Sequence, residues 1–358
     1  MIRKNRYIII IVILLAIVAI SLVFTNTTST FKRSSGDFAV DDTSNITTIF
    51  MSDKNNNTIK ITRTLPGVKW MVNDKYPGHK FNIDMILETM LNLKVQEPVA
   101  MAARNNIIKE LSVNSVKVEI YQWVYRIDLP GVRLFPHEKL TKVYYVGGAT
   151  QNNLGTFMLM EGAQEPYITY LPGLRGFVSP RYMPIEKYWR DYSVFKKNIH
   201  EISSVRVEFP AAQEHSFSIA IKNDQTIELI SLKENKRITD FDTLRIMNFL
   251  AAFRNLNFEA LLNDMDRFKK DSIINSTPFS IITLTDTTRK SSAIKTFHKP
   301  AAYDQTDLNG NPLPFDLDRA YALVNDGKDF VLIQFYVFDK ILKPVNYFIK
   351  GYKEVSRN

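Results

Sequence analysis

TFMLMEGAQEPYITY at residues 156–170 and RAYALVNDGKDFVLIQF at residues 319–335 are the two stretches that decide the fold. In each, a strand-like run is followed by a turn that contains glycine and then by a second strand-like run. A pattern that returns in the same order in two halves of a chain is typical of internal duplication. The sequence therefore predicts an α+β protein with two related lobes of antiparallel sheet and packed helices.

The segments that precede these stretches also follow one order in both halves. Alternating apolar residues predict strands around Ile59 and again around Val205. A helix is predicted after each set of strands, one with Asn82 as its candidate N-cap and one with a capping-box-like start at residues 239–242 (TDFD). The apolar stripes of these helices are predicted to be Ile83, Ile86, Leu87, Met90 and Leu91 in the first, and Leu244, Met247, Leu250 and Ala251 in the second.

The N-terminus predicts a membrane anchor. Three basic residues in the tail 1–6 precede the uncharged apolar run 7–24. At about 1.5 Å of rise per residue, this run is about 27 Å long, which matches the hydrocarbon thickness of a bilayer. The positive-inside rule keeps the tail in the cytoplasm and places the lobes on the far side. A cleaved signal peptide remains the alternative, because Ala19 and Ser21 form a small-x-small pair.

Composition excludes several classes of function. The chain has no cysteine, which excludes disulfides, thioether-linked lipid anchors, CxxC redox pairs and cysteine zinc sites. Of the net charge of +9, five charges lie in residues 1–36, which leaves +4 for the remainder of the chain. No run of Lys and Arg is longer than two. We therefore predict no nucleic-acid partner.

The predicted organisation has six parts. They are a cytoplasmic tail at 1–6, a transmembrane helix at 7–24, a juxtamembrane linker at 25–44, a first lobe at 45–180, an interlobe helix or linker at 181–200, and a second lobe at 201–358.

No sequence motif indicates catalysis. The five histidines have no neighbours at metal-ligand spacing, and GxSxG, GxxxxGK[ST] and strand-linked GxGxxG motifs are absent from the sequence. We therefore predict neither an enzyme nor a cofactor. A hydrolase whose carboxylates come from distant parts of the chain stays open as an alternative.

Residues 305–316 resemble a calcium loop. Oxygen ligands would come from Asp307, Asn309 and Asp316, with Gly310 at the sharp turn. However, Gln305 occupies the first ligand position, and no helix is predicted before the loop. The alternative is an Asn-Gly turn of a hairpin.

Two further groups of residues are candidates for binding. The segment around Tyr188, Trp189, Arg190 and Tyr192 combines the residue types that dominate interface hot spots and that stack on sugars. Packing between the lobes is the alternative. Gly147-Gly148 follows a predicted strand and would let a ligand come close to the backbone, the alternative being a bulge or a tight turn.

Four segments resemble a known family. They are Tyr144–Met158 (YYVGGATQNNLGTFM), Tyr188–Asp191 (YWRD), Asn309–Asp316 (NGNPLPFD) and Ala320–Gly327 (AYALVNDG). They are similar to the membrane-anchored bacterial family called domain of unknown function 4340. The resemblance implies an envelope protein whose relatives are often encoded near ABC-transporter or gliding-associated components, and it brings no catalytic residues. The chain departs from the family at 122–140, where a hairpin-like segment is extra.

These observations lead to one hypothesis and one alternative. The hypothesis is a single-pass protein of the bacterial cytoplasmic (inner) membrane, held in the bilayer by residues 7–24, whose periplasmic lobes bind a membrane-protein complex. The alternative is capture of an envelope glycan, a lipid or a small solute between the lobes, near Trp189, Tyr188 and the Gly147-Gly148 turn.

Overall fold

The computed structural model describes residues 11–16, 36–64, 69–129, 131–222, 226–307 and 309–352. Residues 11–16 form a helix (α1) inside the predicted span 7–24, and the other residues of that span lie outside the described part. Among the described residues, no helix has the length and apolar character needed to cross a membrane. The chain divides into two compact units between Asp191 and Tyr192, and each is described by itself.

The described residues of the first unit form a nine-stranded antiparallel sheet with the order β4-β3-β2-β1-β6-β7-β8-β9-β5. Its elements are β1 (Ile46–Ser52), β2 (Thr58–Thr64), β3 (Lys69–Val72), β4 (Tyr76–Pro77), α2 (Lys80–Asn92), β5 (Lys94–Pro98), α3 (Met101–Asn114), β6 (Val116–Leu129), β7 (Val132–Ala149), β8 (Thr156–Met160), β9 (Tyr167–Tyr170) and α4 (Glu186–Trp189).

The described residues of the second unit form another nine-stranded antiparallel sheet, with the order β14-β13-β12-β11-β17-β18-β19-β20-β16, and a two-stranded sheet of β10 and β15. Its elements are β10 (Ser193–Phe195), β11 (Ile202–Glu208), β12 (Phe217–Ile221), β13 (Ile227–Ser231), β14 (Lys236–Ile238), α5 (Thr243–Ala251), β15 (Leu256–Asn257), β16 (Ala260–Leu261), α6 (Arg267–Ile274), β17 (Ser280–Asp286), β18 (Ser291–Pro300), β19 (Phe315–Val324), β20 (Asp329–Gln334) and α7 (Phe335–Phe338).

The two large sheets have the same strand order and share an irregularity of register. The pairing of β1 with β6 shifts between Ile46 and Thr48, and the pairing of β11 with β17 shifts between Ile202 and Ser204. Each shift falls at the same place in its sheet. The prediction of an α+β protein with two lobes is therefore confirmed, and the strand-turn-strand pair that predicted it forms β8–β9 and β19–β20.

The first core lies between the sheet and α2. Ile83, Ile86 and Met90 of α2 are fully buried, as predicted, whereas Leu91 is 43% exposed. The helix begins earlier than predicted, because His79 is its N-cap. Asn82 therefore lies inside the helix, where its side-chain amide donates a hydrogen bond of 2.6 Å to the carbonyl of Tyr188.

The second core contains α5, which begins later than the predicted capping box at residues 239–242, because Asp242 itself is the N-cap. The Asp242 carboxylate accepts hydrogen bonds from the amides of Leu244 and Arg245. The predicted stripe was wrong at three of its four positions, because Leu244 is 69% exposed, Met247 is 37% exposed and Ala251 is also exposed. The buried face is instead formed by Ile246, Phe249 and Leu250. Phe249 packs against the rings of Phe217 and Phe348, at 5.7 and 5.2 Å between centroids, and this contact fixes which face is buried.

The first lobe carries a long hairpin that the second lobe replaces with a tight turn. Gln122 and Asp286 hold equivalent register positions, since they pair with Ile46 and Ile202. The second lobe closes its hairpin with residues 287–289, because the amide of Asp286 bonds to the carbonyl of Lys290. The first lobe has residues 123–138 in that place, and these residues pair with one another beyond the sheet. We call residues 123–138 the arm.

Candidate functional site

The predicted contact residues Trp189 and Arg190 lie in the interior of the first lobe. Trp189 is 0% exposed, and its indole nitrogen donates a hydrogen bond of 2.6 Å to the carbonyl of Met183. Arg190 is 3% exposed, and its guanidinium lies 3.4 Å from the ring centroid of Tyr76. The structure therefore leaves no surface at these two side chains with which to bind a partner.

Trp189 has an equivalent in the second lobe, which explains its position. The amide of His79, the N-cap of α2, bonds to the carbonyl of Trp189 at 2.7 Å. The amide of Asp242, the N-cap of α5, bonds to the carbonyl of Phe348 at the same distance. Each lobe thus ends in a C-terminal segment, which we call its tail. The tail packs an aromatic side chain into the core, and its backbone carbonyl accepts a hydrogen bond from the N-cap of the helix.

The segment 181–200 is consequently divided between the two lobes. Tyr188 packs against the first core through its contact with Trp189, at 5.5 Å between ring centroids. Tyr192 packs against the second core, and its ring lies 5.1 Å from that of Phe258. The first lobe also begins before residue 45, because Phe38 and Val40 are buried in its core.

Gly147 and Gly148 lie inside β7, at an irregularity in its pairing with β8. A β-carbon on Gly147 would come within 2.3 Å of the Leu111 side chain of α3 and 3.1 Å of the Phe157 carbonyl oxygen. The glycine therefore allows α3 to pack on the sheet. In the second lobe the equivalent positions in the register hold Phe297 and His298. The pair therefore fits the alternative interpretation, a bulge. The Leu111 side chain fills the space above Gly147 that a ligand would need.

The carboxylates of the calcium-like loop are occupied by other partners. Asp307 accepts hydrogen bonds from the side-chain amide and the backbone amide of Asn311 and from the backbone amide of Asn309, and these bonds hold a tight turn and lower the pKa of its carboxyl. Asp316 is buried, and its carboxylate bonds to Lys299 at 2.7 Å and to two backbone amides. Across the described ranges, no three side chains of His, Asp or Glu form a group that could hold a metal ion.

The other buried carboxylates of the second lobe are likewise structural. Asp286 bonds to Lys197 at 2.7 Å and to the hydroxyl of Thr288, and these hydrogen bonds hold the pKa of its carboxyl far below the usual range. Asp329 accepts hydrogen bonds from the amide groups of Asn263 and Asn325. These acids fasten turns and strand ends.

A surface of aromatic rings lies at one end of the second sheet. The imidazole of His298 stacks between two phenyl rings, with centroid distances of 4.5 Å to Phe279 and 4.2 Å to Phe315. Phe315 is 43% exposed and Leu317, two residues along β19, is 68% exposed. We call Phe279, His298, Phe315 and Leu317 the aromatic end. Stacked rings with an exposed apolar neighbour are well suited to contact a protein partner.

The aromatic end predicts a dependence of stability on pH. Partial burial between the two phenyl rings lowers the pKa of His298 below its usual value of 6.5. The folded state therefore favours the neutral ring, so this contribution to stability is present above pH 6.5 and is lost as the pH falls through the lowered pKa. We expect wild type to lose more stability than His298→Gln between about pH 7 and pH 5, as measured by urea unfolding. Parallel curves for the two proteins would contradict this assignment.

Sequence reasoning missed the aromatic end, because it treated each histidine singly. Alternation could not have predicted the stack, because Phe279 precedes β17 and Phe315 pairs with Pro300 beyond a register shift, whereas His298 pairs with Ala320. The arm was seen in the sequence as an extra hairpin in residues 122–140, and that hairpin is confirmed.

No family model, curated protein or solved structure matches the chain.

Proposed function

We propose that the chain is a single-pass, membrane-anchored protein that acts by binding, as an accessory or scaffold subunit of a bacterial envelope complex. The apolar run 7–24 behind a basic tail supports the anchor and its orientation. The resemblance to the domain of unknown function 4340 family supports the envelope and an association with transporter or gliding components. The buried acids hold turns and strand ends through hydrogen bonds. The proposed binding role requires no reaction.

The proposed binding role rests mainly on the aromatic end. It presents apolar area from Phe315 and Leu317 on the second lobe, where the stacking of His298 keeps the rings in one arrangement. A preformed aromatic surface loses little side-chain entropy on association. The partner that fits it is an envelope protein with a complementary apolar patch.

The two lobes are related, in our proposal, by duplication of one α+β unit. Three features support a common origin: the strand order, the register shift at Ile46 and Ile202, and the tail contacts of Trp189 and Phe348. After duplication each lobe acquired its own surface feature, the arm in the first and the aromatic end in the second.

Recovery of a partner from native membranes tests the proposal. We expect a detergent pull-down of the tagged full chain to recover one membrane-complex partner in stoichiometric amount. Phe315→Asp should reduce this recovery about tenfold or more, as expected for a hot-spot residue. Phe268→Asp is the matched control, because Phe268 is 85% exposed on α6 and lies outside the aromatic end. Equal recovery with both variants, or no partner with wild type, would contradict the proposal.

Capture of a ligand is a second proposal, although residues that the sequence predicted to bind the ligand lie in the interior. Trp189 is fully buried and Gly147 is covered by Leu111. Among the described residues of the second lobe, a depression lined in part by Arg206, Lys233 and Ile281 offers a place for a small ligand. Arg206 is already paired with Glu208 at 2.9 Å. Flat melting curves against envelope glycans and lipids would remove this alternative.

A further inference from the structure

The arm is a two-stranded ribbon that extends beyond the first sheet. Beyond Gln122, β6 has no partner in β1, and β8 pairs with β7 only from Tyr144 onward. The arm therefore has free edges on both sides within the described residues. At about 3.4 Å per residue, the stretch from Trp123 to Leu129 extends about 24 Å.

The surface of the arm is mostly apolar, which is unusual for a structure that the sheet does not cover. Four of its apolar side chains are more than a third exposed: Trp123 at 38%, Val132 at 46%, Leu134 at 46% and Phe135 at 61%. Phe135 has a φ of 58°, a left-handed conformation that is costly for a bulky residue. Backbone strain of this kind is found at functional sites more often than elsewhere.

The side chains of the arm are ordered along its length. The aliphatic pair Ile127 and Leu134 lies near the tip, and Trp123 lies nearer the sheet. Arg126 is exposed between them, and Arg133 lies on the tip side of Leu134, where it pairs with Asp128 at 3.2 Å. At the foot, Glu138 turns back to bond to the hydroxyls of Thr47 and Thr48. Exposed apolar side chains near the tip, with exposed arginines on either side of the Ile127 and Leu134 pair and an aromatic residue behind it, suit a bilayer interface with anionic headgroups.

The chain enters the first lobe at the foot of the arm. The Lys142 ammonium bonds to the Asp37 carboxylate at 2.8 Å and to its backbone carbonyl at 2.9 Å, and Gln122 bonds to the carbonyl of Asp42. Only residues 25–36 separate Asp37 from the apolar run that ends at Phe24. Twelve residues span at most about 43 Å, so the foot of the arm lies within about that distance of the end of the run.

We infer that the arm binds the surface of the same membrane and inserts its tip, around Ile127 and Leu134, among anionic lipid headgroups. This inference rests on the anchor in the proposed function. The first lobe is then held to the bilayer at two points, the tether that ends at Asp37 and the arm. The aromatic end belongs to the second lobe and takes no part in this contact.

Single labels on the full chain test the inference, because the native sequence has no cysteine. Leu134→Cys places an environment-sensitive fluorophore near the arm tip. Arg289→Cys places the same fluorophore in the equivalent turn of the second lobe, where Arg289 is exposed. Each labelled chain is reconstituted into vesicles of equal parts phosphatidylcholine and phosphatidylglycerol that include a lipid with a nitroxide quencher on its acyl chain. Flotation after an alkaline carbonate wash reports the anchor separately.

We expect emission from the label at residue 134 to shift to the blue and to be quenched several-fold more than emission from residue 289. Phe135→Asp in the same chain should abolish the quenching. An unshifted and unquenched label in chains that float after the wash would overturn the inference and leave the anchor intact. A blue shift without quenching would mean that protein covers the tip, which also overturns it. Quenching in chains that are removed by the wash would support the arm and contradict the anchor.

Discussion

Trp189→Ala is expected to destabilise the first lobe by about 3–5 kcal/mol, the cost of removing a large aromatic side chain from a core. Trp189 is fully buried in the same core as Tyr182 and Val178, and its indole nitrogen donates a hydrogen bond to the carbonyl of Met183. The loss of that bond adds about 1 kcal/mol. Urea unfolding of the full chain, followed by a spectroscopic signal specific to each lobe, measures this loss of stability.

Two further variants separate a structural role from a binding role. Phe348→Ala should produce a loss of similar size in the second lobe, because Phe348 holds the equivalent position and is fully buried. Phe268→Ala should change little, because that ring is 85% exposed. If Trp189→Ala left stability unchanged and weakened partner recovery, the tail would be a binding surface and the assignment to the core would be wrong.

The sequence predicted the order of elements well, because that order is encoded locally. Alternating apolar residues specify strands, and the apolar spacing after Asp242 specifies a helix whether or not its neighbours are known. The buried face of α5 depended instead on the rings of Phe217 and Phe348, which are distant in the sequence. Leu244 fits the helical spacing as well as Phe249 does, so the pattern alone did not choose between them.

The candidate site was harder to predict, because the position of its residues also depends on contacts with residues that are distant in the sequence. The residue types of Tyr188, Trp189 and Arg190 are favoured both in interfaces and in cores, and only the bond from His79 to Trp189 decides between the two. A comparison of the two halves of the sequence would have indicated a core position for Trp189, because Trp189 and Phe348 stand at the same place in the repeat. The extra hairpin in residues 122–140 was predicted because the sequence departs there from the family that it resembles.

Gly147→Ala is expected to destabilise the first lobe by about 1–3 kcal/mol, the typical cost of overpacking a core. The new methyl group would meet Leu111, which is 3% exposed and has little room to move, and the carbonyl oxygen of Phe157, which is part of the sheet. Gly148→Ala is the matched control. Its methyl group would meet only the carboxylate end of Glu110 at 3.0 Å, and that side chain is exposed and flexible.

A second substitution distinguishes the steric clash from a general intolerance of β7 to change. Leu111→Ala alone leaves a cavity and should cost about 2–5 kcal/mol. If the glycine exists to admit Leu111, the double variant should be more stable than the sum of the two single effects implies, because each change relieves the other. Additive effects, measured as a double-mutant cycle by urea unfolding, would show that Gly147 is required for another reason. A ligand role for the Gly147-Gly148 pair would instead predict that Gly148→Ala abolishes binding while stability stays near wild type.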